Sequence, residues 1–312
     1  NKISFNLDVF QKTTDDLLIQ PQSSGLTGVA GIGSSAPAIN AGTVENSGIE
    51  FLISYRDQFS ENFKFNASYN FTTIKNNVTY VGNLAGFEQG GGFGVGTGII
   101  TSRMEAGHSL GYFYGYKTNG VYQNQGEIDV LNAGATSNKN IYHKGAGVGD
   151  LRFVDTNGDG FISEVDKTDI GDPIADITAG LNLGFSYKKI DFSAAAIGSF
   201  GNNMVRDYQR FNLLANKSER LVNRWTPTNP SNTIPRASSG ASINTDLFSD
   251  YFVEDASFIR IQNIQVGYTF DKVALDRISV DSLRLFLSAN NLHTFTKYSG
   301  YDPSASSGQA IG

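Results

Sequence analysis

Apolar and polar residues alternate along much of the chain. Ala179, Leu181, Leu183, Phe185 and Tyr187 fall on one parity, and Thr178, Gly180, Asn182, Gly184 and Ser186 on the other. Successive side chains of a strand point to opposite faces, so this segment predicts a strand with one greasy side and one small, polar side. The same division separates Ile3, Phe5, Leu7 and Val9 from Lys2, Ser4, Asn6 and Asp8, and Phe63, Phe65, Ala67, Tyr69 and Phe71 from Lys64, Asn66, Ser68, Asn70 and Thr72. Ile49, Phe51, Ile53 and Tyr55 oppose Gly48, Glu50 and Ser54, and Ile264, Val266, Tyr268 and Phe270 oppose Gln265, Gly267 and Thr269. Near the end of the chain, Leu283, Leu285, Leu287 and Ala289 oppose Arg284, Phe286, Ser288 and Asn290. Period two predicts about eight such strands in all.

Alternation alone suits a soluble sandwich as well as a membrane barrel. The connections separate the two. Short joins (56–62, 188–191, 271–281) alternate with long ones (20–43, 75–108, 117–177, 201–256). A compact soluble domain seldom carries several loops beyond about 12–15 residues on one edge, whereas outer-membrane barrels combine short periplasmic turns with long extracellular loops. The predicted fold is therefore all-β, a transmembrane antiparallel β-barrel with its long loops outside the cell. The polar parity, rich in Asn, Ser, Thr and Gly, suits a water-filled or plugged lumen. Tyr112, Tyr114 and Tyr116 share one face, and two readings stay open: a place in the aromatic girdle, or a strand above the bilayer packed against neighbouring loops.

Composition is compatible with this fold and narrows the chemistry. The 312 residues include 35 Gly, 22 Phe and 14 Tyr and are only 17% charged, which favours strands and turns over helices. No run of about 18 apolar residues is present, so no transmembrane helix is expected. A barrel strand needs only about 9–11 alternating residues, and averaging over them fits the mean hydropathy of −0.23. The absence of cysteine excludes disulfides, thiolate metal sites and cysteine nucleophiles. A formal net charge of −6 argues against nucleic acid as a partner. His108, His143 and His293 are scattered and no nucleophile accompanies them, so the chain is not expected to be an enzyme.

One segment carries the pattern of a metal site. Asp155, Asn157, Asp159, Ser163 and Asp166 place oxygen side chains at positions one, three, five, nine and twelve of a loop, with Gly160 at position six, where an EF-hand turns sharply. The expected ligands of Ca2+ are the side chains of Asp155, Asn157 and Asp159, the carbonyl of Phe161, Ser163 through water, and Asp166. The flanks are wrong for an EF-hand, because 151–154 reads as extended and Gly171 and Pro173 follow, so no helices bracket the loop and no EF-hand switch is expected. Aspartate at position twelve is shorter than the usual bidentate glutamate, which lowers affinity, and micromolar to millimolar binding suffices outside a cell. The ion's expected role is structural, fixing the long loop 117–177. The plainer alternative is a Gly-Asp-rich turn that holds no ion.

Several segments together resemble the SusC/RagA family of TonB-dependent outer-membrane transporters of Bacteroidetes. They are Val44–Glu50, Phe113–Tyr122, Gly149–Phe153 running into the calcium loop and on to Ile170–Pro173, Asn223–Pro227, Val253–Ile261, and Ser288–Leu292 leading to Tyr298–Pro303. They occur in the family's order and span nearly the whole chain. The resemblance implies that residues 1–312 form the C-terminal part of a 22-stranded barrel, with the plug and the closing strand outside this stretch. It further implies import of bulky nutrients such as oligosaccharides or oligopeptides, a SusD-like surface lipoprotein as lid, TonB acting through the N-terminal region, a boundary of outer-membrane lipid, and room for a dimer of transporter–lid pairs. Two readings from other classes stand beside it: a secreted or surface calcium-binding adhesive β-domain, and a passive porin.

The remaining candidates are weaker. The glycine-rich run 86–98 lacks the Gly-Lys-Ser/Thr end and the strand-to-helix setting of a phosphate loop, and reads as a loop tip. Residues 215–225 predict a short helix ended before Pro227, either an amphipathic cap within a loop or a lid contact through Trp225. Phe87, Phe93, Phe248, Tyr251 and Phe252 are loop aromatics able to stack on a substrate, and the sequence does not rank them.

Overall fold

The computed structural model describes residues 2–19, 38–90, 99–136, 140–206, 218–238, 242–271 and 280–305. Strand β1 (Ile3–Thr14) is followed by the short pair β2 (Leu18–Ile19) and β3 (Ile39–Asn40) and then by the long hairpin β4 (Gly42–Ser60) and β5 (Phe63–Val81). Next come β6 (Phe87–Gly90), β7 (Ser102–Glu105), β8 (Tyr112–Gly115), β9 (Thr118–Val121), helix α1 (Gln125–Gly134), β10 (Leu151–Phe153) and β11 (Thr168–Gly171). The hairpin β12 (Ile177–Tyr187) and β13 (Ile190–Phe200) returns to long strands. It is followed by β14 (Asn203–Val205), α2 (Ile243–Asp246), β15 (Val253–Asp255), β16 (Phe258–Thr269) and β17 (Arg284–Thr296).

Seven strands form one antiparallel sheet in the order β1-β4-β5-β12-β13-β16-β17. At about 3.4 Å per residue, the 11 residues of β12 span roughly 37 Å, enough to cross an apolar band of about 25 Å at a tilt. Its register sets the two faces. Leu181 lies between Tyr69 and Ala196, and Phe185 between Phe65 and Phe192, so apolar side chains line up across strands. On the other face Asn182 lies between Ser68 and Ala195, and Asn263 donates an amide hydrogen bond to Asn290 at 2.7 Å. The apolar face has no protein cover: Phe5 is 70% exposed and Leu287 80%. Such a surface is stable in lipid, which is as apolar as the side chains themselves.

The sheet departs from the sequence reading in two places. Tyr112–Tyr116 does not join it, the wall has seven strands among the described residues, and the two long joins 75–108 and 117–177 merge into one connection over 82–176. Tyr112 and Tyr116 are buried to 1% and 2% exposure, which places this segment in a packed layer beyond the sheet and not in the girdle. The aromatic belt lies instead at the short-turn end, where Tyr55 sits 6.1 Å from Phe65, Phe59 5.5 Å from Phe63 and Phe63 6.4 Å from Tyr187. A phenol or benzene ring at that depth keeps its body in lipid while its edge meets headgroups and water.

At the opposite end all the long connections gather. β4 and β5, 19 residues each, outgrow the other strands, and their upper ends bury Val44 and Val78 against Ala41, Val81 and Met104. β11, β8, β7 and β6 form a four-stranded sheet beside them, tied to β5 by Val78 N donating to the His108 carbonyl and Gly107 N to the Val78 carbonyl, both at 2.8 Å. A second core joins Tyr116, Val121, Leu151, Phe153 and Trp225. Asp150, 1% exposed, holds this layer together: it takes a forked pair of bonds from Arg236 (2.7 and 3.0 Å), one from Asn244 Nδ2 (2.8 Å) and one from Gly147 N (2.9 Å). Removing Arg236 would be destabilising, because it would leave the Asp150 carboxylate buried without a compensating charge.

Candidate metal centre in the extracellular layer

The loop Asp155–Asp166 grows out of β10 and runs through a single 3-10 turn at Glu164–Asp166 into β11, so strands bracket it as its sequence suggested. Gly158 and Gly160 take φ of +75° and +88°, the left-handed region that a side chain would strain, and Gly160 stands at position six. Backbone N–H groups converge on the acidic side chains. Asp155 accepts from Gly158 N (2.7 Å), Asp159 N (3.2 Å) and Gly160 N (2.7 Å); Asn157 Oδ1 accepts from Asp159 N (2.9 Å), and Asp159 Oδ1 from Phe161 N (3.2 Å). Asp166, fully buried, accepts from Thr156 N (2.8 Å) and Ser163 N (2.7 Å).

These bonds bring one oxygen each of Asp155, Asp159 and Asp166 within 4.8 Å of one another. Two unit negative charges at that separation repel by about 3 kcal/mol at an effective dielectric near 20, and among the described residues no lysine or arginine pairs with any of the three. The donors are all oxygen, the preference of a hard divalent cation. Ser163 Oγ accepts from Val165 N at 3.3 Å and so caps its own turn, and it donates to Asp166 Oδ2 at 3.4 Å. The loop is also anchored to the protein. Ile162 N donates to the Tyr142 carbonyl at 2.7 Å, and the Ile162 side chain packs against the core around Phe153 and Trp225.

The other candidates sort by burial. Trp225 is 9% exposed, donates to Gln123 Oε1 at 3.1 Å and lies so close to Gly149 that a Cβ there would meet its ring at 2.4 Å. It is a core residue, and the lid-contact reading of Trp225 falls away. The expected helix is a 3-10 turn at Glu219–Asn223, its first residues 215–217 lying outside the described ones. Phe248 and Phe252 are buried to 2% and 1% and are structural, while Phe93 and most of the glycine-rich run lie outside the described residues. His143 is also buried: it stands edge-on to Phe153 at 4.9 Å, its Nδ1 has no partner among the described residues, and burial pulls its pKa down to about 4.

Sequence reasoning missed three features of this layer. Helix α1 begins at Asn124, whose side chain accepts from Glu127 N while Glu127 Oε2 accepts from Gln123 N, a cap legible in the Asn-x-x-Glu spacing. Glu254 gathers Arg206 (2.9 Å), Arg220 (3.1 Å) and the Ser299 hydroxyl (2.9 Å). Asp150 and Arg236 meet across 86 residues of sequence. No local signal announces these last two.

Comparison with known proteins agrees with this architecture. No family model matches the chain. TonB-dependent receptor P3 of Formosa agariphila is 30% identical over 308 residues, 98% of this chain and 29% of that protein. TonB-dependent receptor SusC of Bacteroides thetaiotaomicron is 29% identical over 310 residues, 98% of this chain and 28% of that protein. A solved structure of the RagAB peptide transporter superposes with a TM-score of 0.72 at 22% identity, covering 97% of this chain and 31% of that one. The chain thus spans under a third of the length of the relatives it matches, and these are receptors and transporters by name rather than enzymes. Nearly its whole length therefore belongs to the SusC/RagA family of TonB-dependent receptors, of whose outer-membrane β-barrel it forms a part.

Proposed function

We propose that this chain is part of an importer that carries bulky nutrients, oligosaccharides or oligopeptides, across the outer membrane under TonB control. The observation that carries the reading is the asymmetry of the wall: the connections 15–41, 82–176 and 201–257 all leave the seven-stranded sheet at one end, where their described residues build a packed layer, while the shorter joins lie at the other end. A layer of that size at a barrel mouth suits capture of a ligand too large to diffuse through an open pore, and it disfavours the passive porin. The peptide transport named for RagAB, and the two components that its name joins, support a surface lipoprotein of the SusD type as lid. TonB would act through parts of the protein outside residues 1–312. The whole protein, purified from its native membrane, should require detergent and bring with it a lipoprotein and a trapped ligand identifiable by mass spectrometry. Recovery from the culture fluid without detergent, alone and empty, would sink the importer and favour the adhesive β-domain.

Within that reading, the loop Asp155–Asp166 holds Ca2+ as a staple of the extracellular layer. Asp155, Asn157, Asp159, the Phe161 carbonyl and Asp166 supply the oxygens, with Ser163 acting through water. The ion offsets the repulsion among three carboxylates and fixes a connection that is otherwise entropically costly to order. Asp155→Ala combined with Asp159→Ala should raise hydrogen exchange across 148–171 by about tenfold or more, and a chelator should do the same to the unmodified protein. Exchange that responds to neither treatment would leave only a hydrogen-bonded turn.

A further inference from the structure

Between the four-stranded sheet and α2 lies a cavity of about 400 Å³ whose lining includes Arg103, Tyr114, Tyr116, Glu164, Lys167 and Asp246. Its charges are unevenly matched. Glu164 is fully engaged, by Lys167 at 2.5 Å and the Tyr116 hydroxyl at 3.1 Å. Asp246 accepts from Ser242 N at 3.0 Å and from the Thr245 hydroxyl at 3.1 Å. Arg103 differs. Its guanidinium is clamped between the rings of Phe87 and Tyr114, 4.0 and 3.4 Å from their centroids, so its plane is fixed. Its ion pair, with Glu105, is long at 3.5 Å, and that same Glu105 oxygen already accepts the Tyr112 hydroxyl at 2.5 Å. Arg103 Nε has no partner among the described residues.

Arg236 shows what a satisfied fork looks like, gripping both oxygens of Asp150 at 2.7 and 3.0 Å. Arg206 also leaves its Nε unpartnered among the described residues, but both of its Nη atoms are engaged at short range, by Glu254 at 2.9 Å and the Tyr251 carbonyl at 2.8 Å. A stacked guanidinium without such a partner is pre-organised for a planar anion, because its orientation is already fixed before the ligand arrives. We propose that this cavity binds a carboxylate group of the imported ligand, with Arg103 as the anchor and the Tyr114 and Tyr116 rings as apolar walls. A carboxylate fits better than a phosphate monoester, since Glu164 and Asp246 in the same lining oppose a second negative charge, and its planar pair of oxygens matches the guanidinium fork better than a tetrahedral sulfate does. The volume admits one or two residues of a longer molecule. The group has two natural sources, the carboxylate of a peptide or the uronate of an acidic oligosaccharide. This proposal rests on the importer reading.

The test uses the whole transporter in detergent and compares matched probes by calorimetry: tetra-alanine against its C-terminal amide, and digalacturonate against its methyl ester. One acid should bind at least about tenfold more tightly than its neutral counterpart, and which pair shows the difference identifies the source. Arg103→Gln should remove the preference, and Arg103→Lys, which keeps the charge and loses the fork, should restore only part of it. Equal binding of acid and neutral forms by the unmodified protein overturns the proposal whatever the variants do. A preference that survives in a folded Arg103→Gln protein overturns it too, by placing the carboxylate elsewhere. The comparison is read without transport, so its failure in a protein that still co-purifies with lid and ligand leaves the importer standing.

Discussion

The wall and the extracellular layer are made by one chain and obey opposite rules. On the wall the large apolar residues face outward with no protein cover, and the amides and hydroxyls pair on the inner face; Val9 is 78% exposed while Asn76 donates to Asn46 at 2.7 Å. In the layer the order is the ordinary one of a water-soluble domain, with Phe153 and Phe252 at 1% exposure. The difference teaches that the solvent, not the residue type, decides what counts as inside. Lipid makes the exposed leucines of β17 stable, and water drives Phe113 of β8 against Phe248 and Phe252, and Tyr116 against Phe153 of β10.

Three perturbations test how far the two regions are independent. Phe153→Ala should have the largest effect, about 3–5 kcal/mol, because it empties the centre of the layer's second core. Limited proteolysis should then cut connection 82–176 while the barrel keeps its heat-modifiable migration; loss of both together would make wall and layer one cooperative unit. Leu181→Arg, at the middle of β12 on the lipid face, should cost about 2–4 kcal/mol in a urea titration, whereas Asn182→Arg beside it should change that midpoint little. Equal effects would mean that the two faces are not distinguished by lipid.

Acidification should act on the layer alone and more gently. The folded-state pKa of His143 is depressed to about 4 from an ordinary 6.5, so an opened layer binds the proton more readily than a closed one. The stabilisation is complete above about pH 6.5, is lost as pH falls toward 4, and amounts to at most about 3 kcal/mol. Hydrogen exchange over 140–153, corrected for intrinsic rates, should therefore accelerate between pH 7 and pH 5, and His143→Gln should flatten that dependence. An identical profile in both proteins would show that His143 opens with no change of environment.

Much of the wall was legible because period two is a local property. The parity of Leu181 and Asn182 follows from their own strand, and the hydrogen-bonded register merely aligned it with Tyr69 and Ser68. The residues of the candidate calcium loop were legible for the same reason, since a twelve-residue loop is nearly self-contained. The tyrosines of β8 were not. Their alternation is the same whether they meet lipid or protein; burial of Tyr112, and beside β8 the hydrogen bond from Tyr116 N to the Phe248 carbonyl, 3.0 Å across more than a hundred residues, assign the segment to the layer.

The sequence by itself determined the strand faces, the short-turn and long-loop ends, the oxygen set of Asp155–Asp166 and, through ordered motifs, the family. The tertiary structure alone decided which buried charges are matched. Asp150 finds Arg236, Glu254 finds Arg206 and Arg220, and Arg103 is left with a stacked, half-used fork. The reason is physical. Alternation and loop spacing act over a few residues, whereas the fate of a charge depends on which distant loop folds down beside it.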